Sequence, residues 1–386
     1  MPPFRTALLG LALLASAAHA AEPYDVHVVL PLTGAAAFLG ASEQTALQRA
    51  EPVLSRDGGI GGRPVRFVFH DDQTSPQVAV QLANQINAGK PAIVLGSATV
   101  AMCNAMAPLS RRGPVLFCLS PGFYPAAGSF AFSSSNSTRD LASALLRYFA
   151  GRSLTRIAII TSTDASGQDA QRQLREAVAD PANKGITVVN ETSFNPTDVS
   201  ASAQLQRIKG SNPQAIIAWS TGAAIGTVFK AMQDAGISVP VATTDGNMTY
   251  ATMRQFADVL PAELYIPSPE WLRDEREETP VPVKAAKQAF FAAFEGASPP
   301  DAASSFAWDP ALLAVSALRA LGPDATAEQV RDHLTKLTEF AGINGVYNFP
   351  KVPQRGLDDS NVVVTRWDKV ATTWRIVSHP RGTPLD

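Results

Sequence analysis

The sequence predicts an α/β protein made of two doubly wound, parallel-sheet units. Short apolar strands alternate with helices of about a dozen residues, and the alternation runs through the chain twice with different content. The stretch Val53–Pro76 (VLSRDGGIGGRPVRFVFHDDQTSP) shows one such unit in full: helix end, glycine turn, strand, helix start. Gly58, Gly59, Gly61 and Gly62 permit the positive φ of a helix C-cap and tight turn. Val65, Phe67 and Phe69 alternate with Arg66 and Val68, as a strand buried on one face requires. Asp71, Asp72 and Thr74 are candidate N-caps, and Pro76 suits the first turn of the next helix. No Lys-Ser or Lys-Thr follows the glycines, and Arg63-Pro64 opens a strand, so this is not a phosphate loop.

In chain order, Asp25–Leu30 reads as the first strand and ends at Pro31-Leu32-Thr33-Gly34. A loop, Gly34–Gly40, leads to a helix from Ser42 to Leu54, with Ala46, Leu47, Ala50, Val53 and Leu54 at helical spacing. Helix Pro76–Ala88, strand Ala92–Leu95, helix Ala101–Arg111 and strand Val115–Leu119 complete the first series. The second series runs through helix Leu141–Ala150, strand Arg156–Thr161, helix Gly167–Ala179 and strand Ile186–Val189. It continues with helix Val199–Lys209, strand Ala215–Trp219, helix Ala223–Ala235 and strand Val239–Thr243. Beyond Ile266 the chain turns Pro-rich and charged, then forms helices over Pro282–Glu295 and Ala302–Leu321. Trp367 and Trp374 flank Asp368-Lys369 as a closing hairpin.

At 386 residues the chain can hold two domains with separate cores. Hydrophobic content of 46%, charged content of 17% and a net charge of −2 give no basic excess, which argues against a nucleic-acid partner. Arg5, the apolar run Ala7–Ala18 and the small-x-small step Ala18-His19-Ala20 read as a cleavable signal peptide over residues 1–20. The run falls short of the roughly 20 residues that span a bilayer, so an exported, soluble protein starting near Ala21 is expected. Cys103 and Cys118 suit an oxidising compartment. Their places, a first helical turn and a strand's C-terminal end, allow a disulfide; two buried thiols are the alternative.

The motifs carry a resemblance. Gly58-Gly59-Ile60-Gly61-Gly62-Arg63-Pro64-Val65 with Asp71-Asp72-Gln73-Thr74-Ser75-Pro76 resembles a phrase of the type I periplasmic solute-binding proteins, the leucine/isoleucine/valine-binding components of ABC importers. "IAII…GQD" at Ile157–Asp169, "AIIAW" at Ala215–Trp219 and "VPVATTDG" at Val239–Gly246 extend it over nearly the whole mature chain. The resemblance implies two lobes joined by a three-strand hinge, with residues 21–138 and 267–345 in lobe 1 and 139–266 and 346–386 in lobe 2.

No Gly-x-Ser-x-Gly, His-Glu-x-x-His or Cys-x-x-Cys is present, so no enzyme is expected. His70-Asp71-Asp72 is the one cluster suggesting a metal, but neighbours on a strand point to opposite faces; neither metal nor cofactor is expected. Doubly wound sheets bind ligands at the carboxyl ends of their strands, which here nominates Gly34–Leu39, Gly96–Val100, Ser120–Tyr124, Thr161–Ser166, Ser220–Gly222 and Asp245–Asn247. Hydroxyls of Ser97, Thr99 and Ser120 and amides near Gly122 and Tyr124 suit a small carboxylate, although each Ser or Thr could instead cap a helix.

The resemblance places the carboxylate-holding positions at Thr99 or Val100 and at Ser120-Pro121-Gly122-Phe123-Tyr124. It places the acid that pairs with an α-ammonium at Asp245, for which a plain turn role is the alternative. Aromatic positions of the relatives fall at Leu39 (beside Phe38), Ser166 and Thr221, so the pocket wall differs from theirs. Phe123 and Tyr124 could face a flat ring or pack between lobes. The implied function is a monomeric periplasmic substrate-binding component that closes on a small amino acid or carboxylate and docks to an ABC permease in the inner membrane. A sensor of the same fold and a binder of aromatic acids are the alternatives.

Overall fold

The computed structural model describes residues 21–56, 58–273 and 279–385; the expected signal peptide and residues 274–278 of the charged run lie outside them. The first sheet holds β1 (Tyr24–Leu30), β2 (Val65–Asp71), β3 (Ile93–Gly96), β4 (Val115–Cys118) and β5 (Ala131–Ser133). Its order is β2-β1-β3-β4-β5, parallel throughout. The helices α1 (Ala37–Ser55), α2 (Pro76–Ala88) and α3 (Val100–Met106) connect these strands.

After α4 (Thr138–Gly151) the second sheet forms from β6 (Arg156–Ser162), β7 (Thr187–Phe194), β8 (Ala215–Trp219), β9 (Val241–Ala242) and β10 (Leu264–Pro269), with α5 (Ala165–Ala179), α6 (Ser202–Gly210), α7 (Ala223–Asp234) and α8 (Tyr250–Gln255) between them. The chain then returns to the first lobe as α9 (Val281–Ala293), α10 (Ala302–Leu321), α11 (Ala327–Lys336) and the small β11–β12 hairpin (Phe340–Ala341, Val346–Tyr347). It ends on the second sheet with β13 (Val362–Asp368) and β14 (Thr373–Ile376). The second sheet has the order β14-β13-β10-β9-β8-β6-β7, with β13 antiparallel to both β10 and β14.

Helix α10 lies along α1 and covers its apolar face of Ala46, Leu47, Ala50 and Leu54. Ser42 donates to Asp301 Oδ2 at 3.0 Å at one end of this pair. At the other end Arg319 donates to the carbonyls of Gly59 (2.8 Å) and Leu54, fastening the glycine turn to the lobe. Gly59 sits at φ +56, where an added Cβ would lie 1.9 Å from the Arg63 carbonyl, so only glycine fits. Cys103, in α3, and Cys118, at the end of β4, form a disulfide with Cα atoms 5.9 Å apart.

Three segments join the lobes: β5 to α4, β10 to α9, and β12 to β13. By sheet membership the last two returns fall later than residues 267 and 346, because β10 runs to Pro269 and β12 to Tyr347. Polar groups fill the crossing. The Tyr347 hydroxyl donates to the Ser134 carbonyl (2.8 Å), and Asn136 Nδ2 donates to that of Asp358 (2.6 Å). Trp367 and Trp374 face each other across the β13–β14 hairpin, ring centroids 4.8 Å apart, with Tyr250 at 4.5 Å from Trp374.

Several elements differ from the sequence reading. α1 begins at Ala37, so Phe38 and Leu39 sit in its first turn and not in a loop. β7 extends to Phe194, and the following helix starts at Ser202, leaving Val199 exposed. β10 was hidden by Pro267 and Pro269. It pairs with β9 only at Leu264 and Tyr265, so the prolines fall where β9 has ended and break no ladder on that side. The short β5, β11 and β12 gave too few residues for a periodicity. His70, Asp71 and Asp72 diverge: His70 meets His27, Asp71 accepts from Leu32 and Thr33, and Asp72 accepts from Ser97 and Thr74.

Candidate ligand-binding site

The strand order reverses between β1 and β3 in the first sheet and between β6 and β8 in the second. Chains leaving a sheet on both sides of such a point open a crevice at the strands' carboxyl ends. The two crevices face each other and enclose one cavity of about 270 Å³. Phe38, Leu39, Thr99, Val100, Ser120 and Gly122 line it from the first lobe. Ser166, Asp169, Trp219, Thr221 and Asp245 line it from the second.

Nine sequence-nominated residues therefore meet at the cavity: Phe38, Leu39, Thr99, Val100, Ser120, Gly122, Ser166, Thr221 and Asp245. Three do not. Ser97 is fully buried and turns its hydroxyl to Asp72 Oδ2 at 2.5 Å, tying β3 to the end of β2. Phe123 packs with Cys103, Cys118 and Ala131 behind the wall. Tyr124 is 43% exposed and lies under the Arg355 guanidinium, 5.4 Å from the ring centroid. The turn after β4 thus presents Ser120–Gly122 to the cavity, and neither ring is among the residues that line it.

Arg355, which no motif singles out, holds that turn. It is buried and donates to the carbonyls of Pro121, Phe123 and Ser135 and to the Ser133 hydroxyl. Asn247 does the same in the second lobe. Its Nδ2 donates to the Ser220 carbonyl (2.7 Å) and Thr243 Oγ1 (2.9 Å), and its Oδ1 accepts from Gly222 N (3.0 Å). This fixes the loop after β8 against the Asp245 turn.

Thr99 stands at the N-cap of α3 but makes no capping bond, and its buried Oγ1 has no hydrogen-bond partner. Asp245 is fully buried. Its Oδ1 accepts from Thr244 Oγ1 at 3.0 Å, while Oδ2 has no partner. The cap of this turn is Thr244, whose hydroxyl accepts from Gly246 N. Burial, with no opposite charge nearby, pushes the Asp245 carboxyl up to about 7.

Asp169 was legible only as the last letter of "GQD". It is 3% exposed and gives Oδ1 to Arg172 at 2.5 Å. Its Oδ2 has no partner and reaches across the cleft, where a Cβ added to Gly122 would meet it at 2.8 Å. Burial raises this carboxyl too, offset first by the Thr138 hydroxyl and then by Arg172 and Arg355. Asp164 is spent on structure: its Oδ1 accepts from Ser162 Oγ and from Gly167 N, capping α5. Neither Lys nor Arg is among the lining residues described. Among the described residues no group of three or more His, Cys, Asp or Glu is arranged to hold a metal, and no helix is long and apolar enough to cross a membrane.

The profile of a family described as periplasmic binding protein matches residues 23–370. No curated protein matches the chain. Among solved structures, an extracellular ligand-binding receptor from Rhodopseudomonas palustris HaA2 superposes with a TM-score of 0.78 at 21% identity, covering 92% of this chain and 100% of that one. An ABC transporter solute-binding protein from R. palustris, in complex with benzoate, gives 0.76 at 20% identity, covering 92% and 95%. LivJ, the branched-chain amino acid transporter substrate-binding protein of Streptococcus pneumoniae, in complex with isoleucine, gives 0.74 at 18% identity, covering 92% and 99%. At these identities the likeness is one of fold.

Proposed function

The chain belongs to the periplasmic binding protein family, and from that premise we propose that it captures a small amino acid or carboxylate between its lobes as the substrate-binding component of an ABC importer. The observation that carries this reading is the cavity itself, which lies at the carboxyl ends of both sheets and is lined from both lobes. A solute touching both walls stabilises the closed arrangement over the open one, and only that differential affinity can move the equilibrium. The residues proposed to hold it are Thr99, Ser120 and Gly122 on one side and Ser166, Thr221 and Asp245 on the other. The reading includes export to the periplasm through residues 1–20, a monomeric state and docking of the closed form to a permease.

An aromatic acid is the second reading. Phe38 and Trp219 give the cavity flat apolar walls, and one neighbour of the same fold holds benzoate. A thermal-shift screen of the chain from Ala21 against amino acids, benzoate-type acids, short amides and dicarboxylates tests both. A ligand at a hundredfold its Kd adds about 2.7 kcal/mol, a readily visible shift. Silence across the panel would count against uptake of these solutes.

A further inference from the structure

The chemistry of the cavity is one-sided. Asp245 and Asp169 both line it, both are more than nine-tenths buried, and each keeps one carboxylate oxygen without a hydrogen-bond partner. Buried polar atoms are nearly always satisfied, so two such oxygens beside one cavity are an unmet demand for donors. The protein does not meet it there. No Lys or Arg is among the lining residues described, Arg172 is spent on the other oxygen of Asp169, and Thr244 on the other oxygen of Asp245. Thr99 Oγ1 is unpartnered as well.

The two acids reach the cavity from different structures. Asp245 leads the short turn after β9, pinned from behind by Asn247. Asp169 projects from the second turn of α5 across the cleft to Gly122, the one residue of the facing turn without a side chain to exclude it. A methyl group at Gly122 would collide with both Asp169 Oδ2 (2.8 Å) and Val100 Cγ2 (2.7 Å). The absence of a side chain at residue 122 is thus what lets a second-lobe carboxylate stand at a first-lobe wall.

We infer that the solute carries two separate N–H donor groups, one for Asp245 and one for Asp169, as a short α,ω-diamine or a guanidino amine does. This rests on the solute-binding reading, keeping capture between the lobes but replacing its amino acid or carboxylate with a two-headed cation. A monocarboxylate would bring its charge toward two acids with no basic side chain to receive it, whereas two cationic ends form charge-assisted bonds with the oxygens that have none. The small cavity volume restricts the choice to compact molecules.

The test uses the chain from Ala21, with 1,4-diaminobutane, agmatine, butylamine, leucine and benzoate as probes in thermal shift and calorimetric titration. Diaminobutane or agmatine should bind at least about tenfold more tightly than butylamine, the increment of one added charge-assisted bond, and benzoate more weakly than either. Asp169→Asn and Asp245→Asn, near-isosteric and checked for fold by circular dichroism, should each reduce the two-headed probe to the affinity of butylamine. Leucine or benzoate binding more tightly than every two-headed cation would overturn this inference and leave the solute-binding reading standing. Unchanged diaminobutane affinity in Asp169→Asn would overturn it equally. No shift with any of these probes would overturn this inference, and only silence across the wider screen as well would bring down both.

Discussion

From the first lobe the cavity receives Thr99, Ser120 and Gly122; from the second it receives Asp164, Asp169 and Asp245. The first wall is neutral, and a disulfide between Cys103 and Cys118 staples α3 to the end of β4. The second wall carries all the charge, and its loops are held by Asn247, which accepts from Gly222 N and donates to the Ser220 carbonyl, and by Asp164, which accepts from Gly167 N. Neutral donors and a rigid backbone give shape. Buried carboxylates give a strong demand that only closure around a suitable partner can meet. The walls therefore divide the work, one fixing where a ligand sits and the other deciding what it must carry.

Titration gives the largest effect expected from this contrast. Burial pushes Asp245 up to about 7, and Asp301 and Asp309, away from the second wall, up to about 6. A carboxyl with a folded pKa above its unfolded one binds more protons in the folded state, so its contribution to stability falls as pH rises between the two values. Through these groups the ligand-free protein should lose stability as pH rises from about 4 to about 7, with Asp245 contributing at most about 4 kcal/mol of the loss. Thermal unfolding of wild type and Asp245→Asn across that range checks it; equal slopes would show that the second wall carries no special charge.

The staple comes next. Cys103→Ser with Cys118→Ser opens a 15-residue loop and should lower stability by about 3 kcal/mol in denaturant titration. A loss near zero would show that the first wall is held by packing alone. Gly122→Ala should cost about 2 kcal/mol through overpacking against Asp169 and Val100. Adding Asp169→Ala should restore part of it, because one of the two colliding groups then disappears; no restoration would mean the lobes do not press together there. The smallest effect is at Thr99→Val. Removing a buried, unpartnered hydroxyl should leave the ligand-free protein unchanged or up to about 1 kcal/mol more stable while weakening a bound ligand. Weakened stability with unchanged binding would remove Thr99 from the wall.

The same contrast separates what could be read in the sequence from what could not. The first wall follows local rules: strand, apolar end, hydroxyl, helix, as at Leu95–Val100 and Phe117–Gly122, and its loops were nominated on those rules. Ser97 misled because the same loop holds a hydroxyl that serves Asp72 and one that serves no protein group. Phe123 and Tyr124 misled because nothing local shows that Arg355, more than two hundred residues away, draws the turn's carbonyls toward the hinge. On the second wall, Asp245 was legible from its turn, but Asp169 is an ordinary helical acid until the other lobe closes over it. β10 with its prolines and the three-residue β5 likewise gain meaning only from the strands beside them. Contacts between distant segments leave little trace in any one of them.

The pairing of α1 with α10 has a consequence for how the chain is made. Ser42 and Asp301 are joined although 259 positions separate them, so during synthesis the apolar face of α1 emerges long before its cover exists. The second lobe's parallel strands are complete by Pro269 and can collapse while the first lobe still lacks a helix layer. Such a nascent chain stays unfinished and adhesive for most of its translation, the condition in which chains aggregate unless held. For a protein expected to cross a membrane unfolded, this late completion is useful. The segment that seals the first lobe is among the last to arrive, which keeps that lobe unclosed until most of the chain has been made.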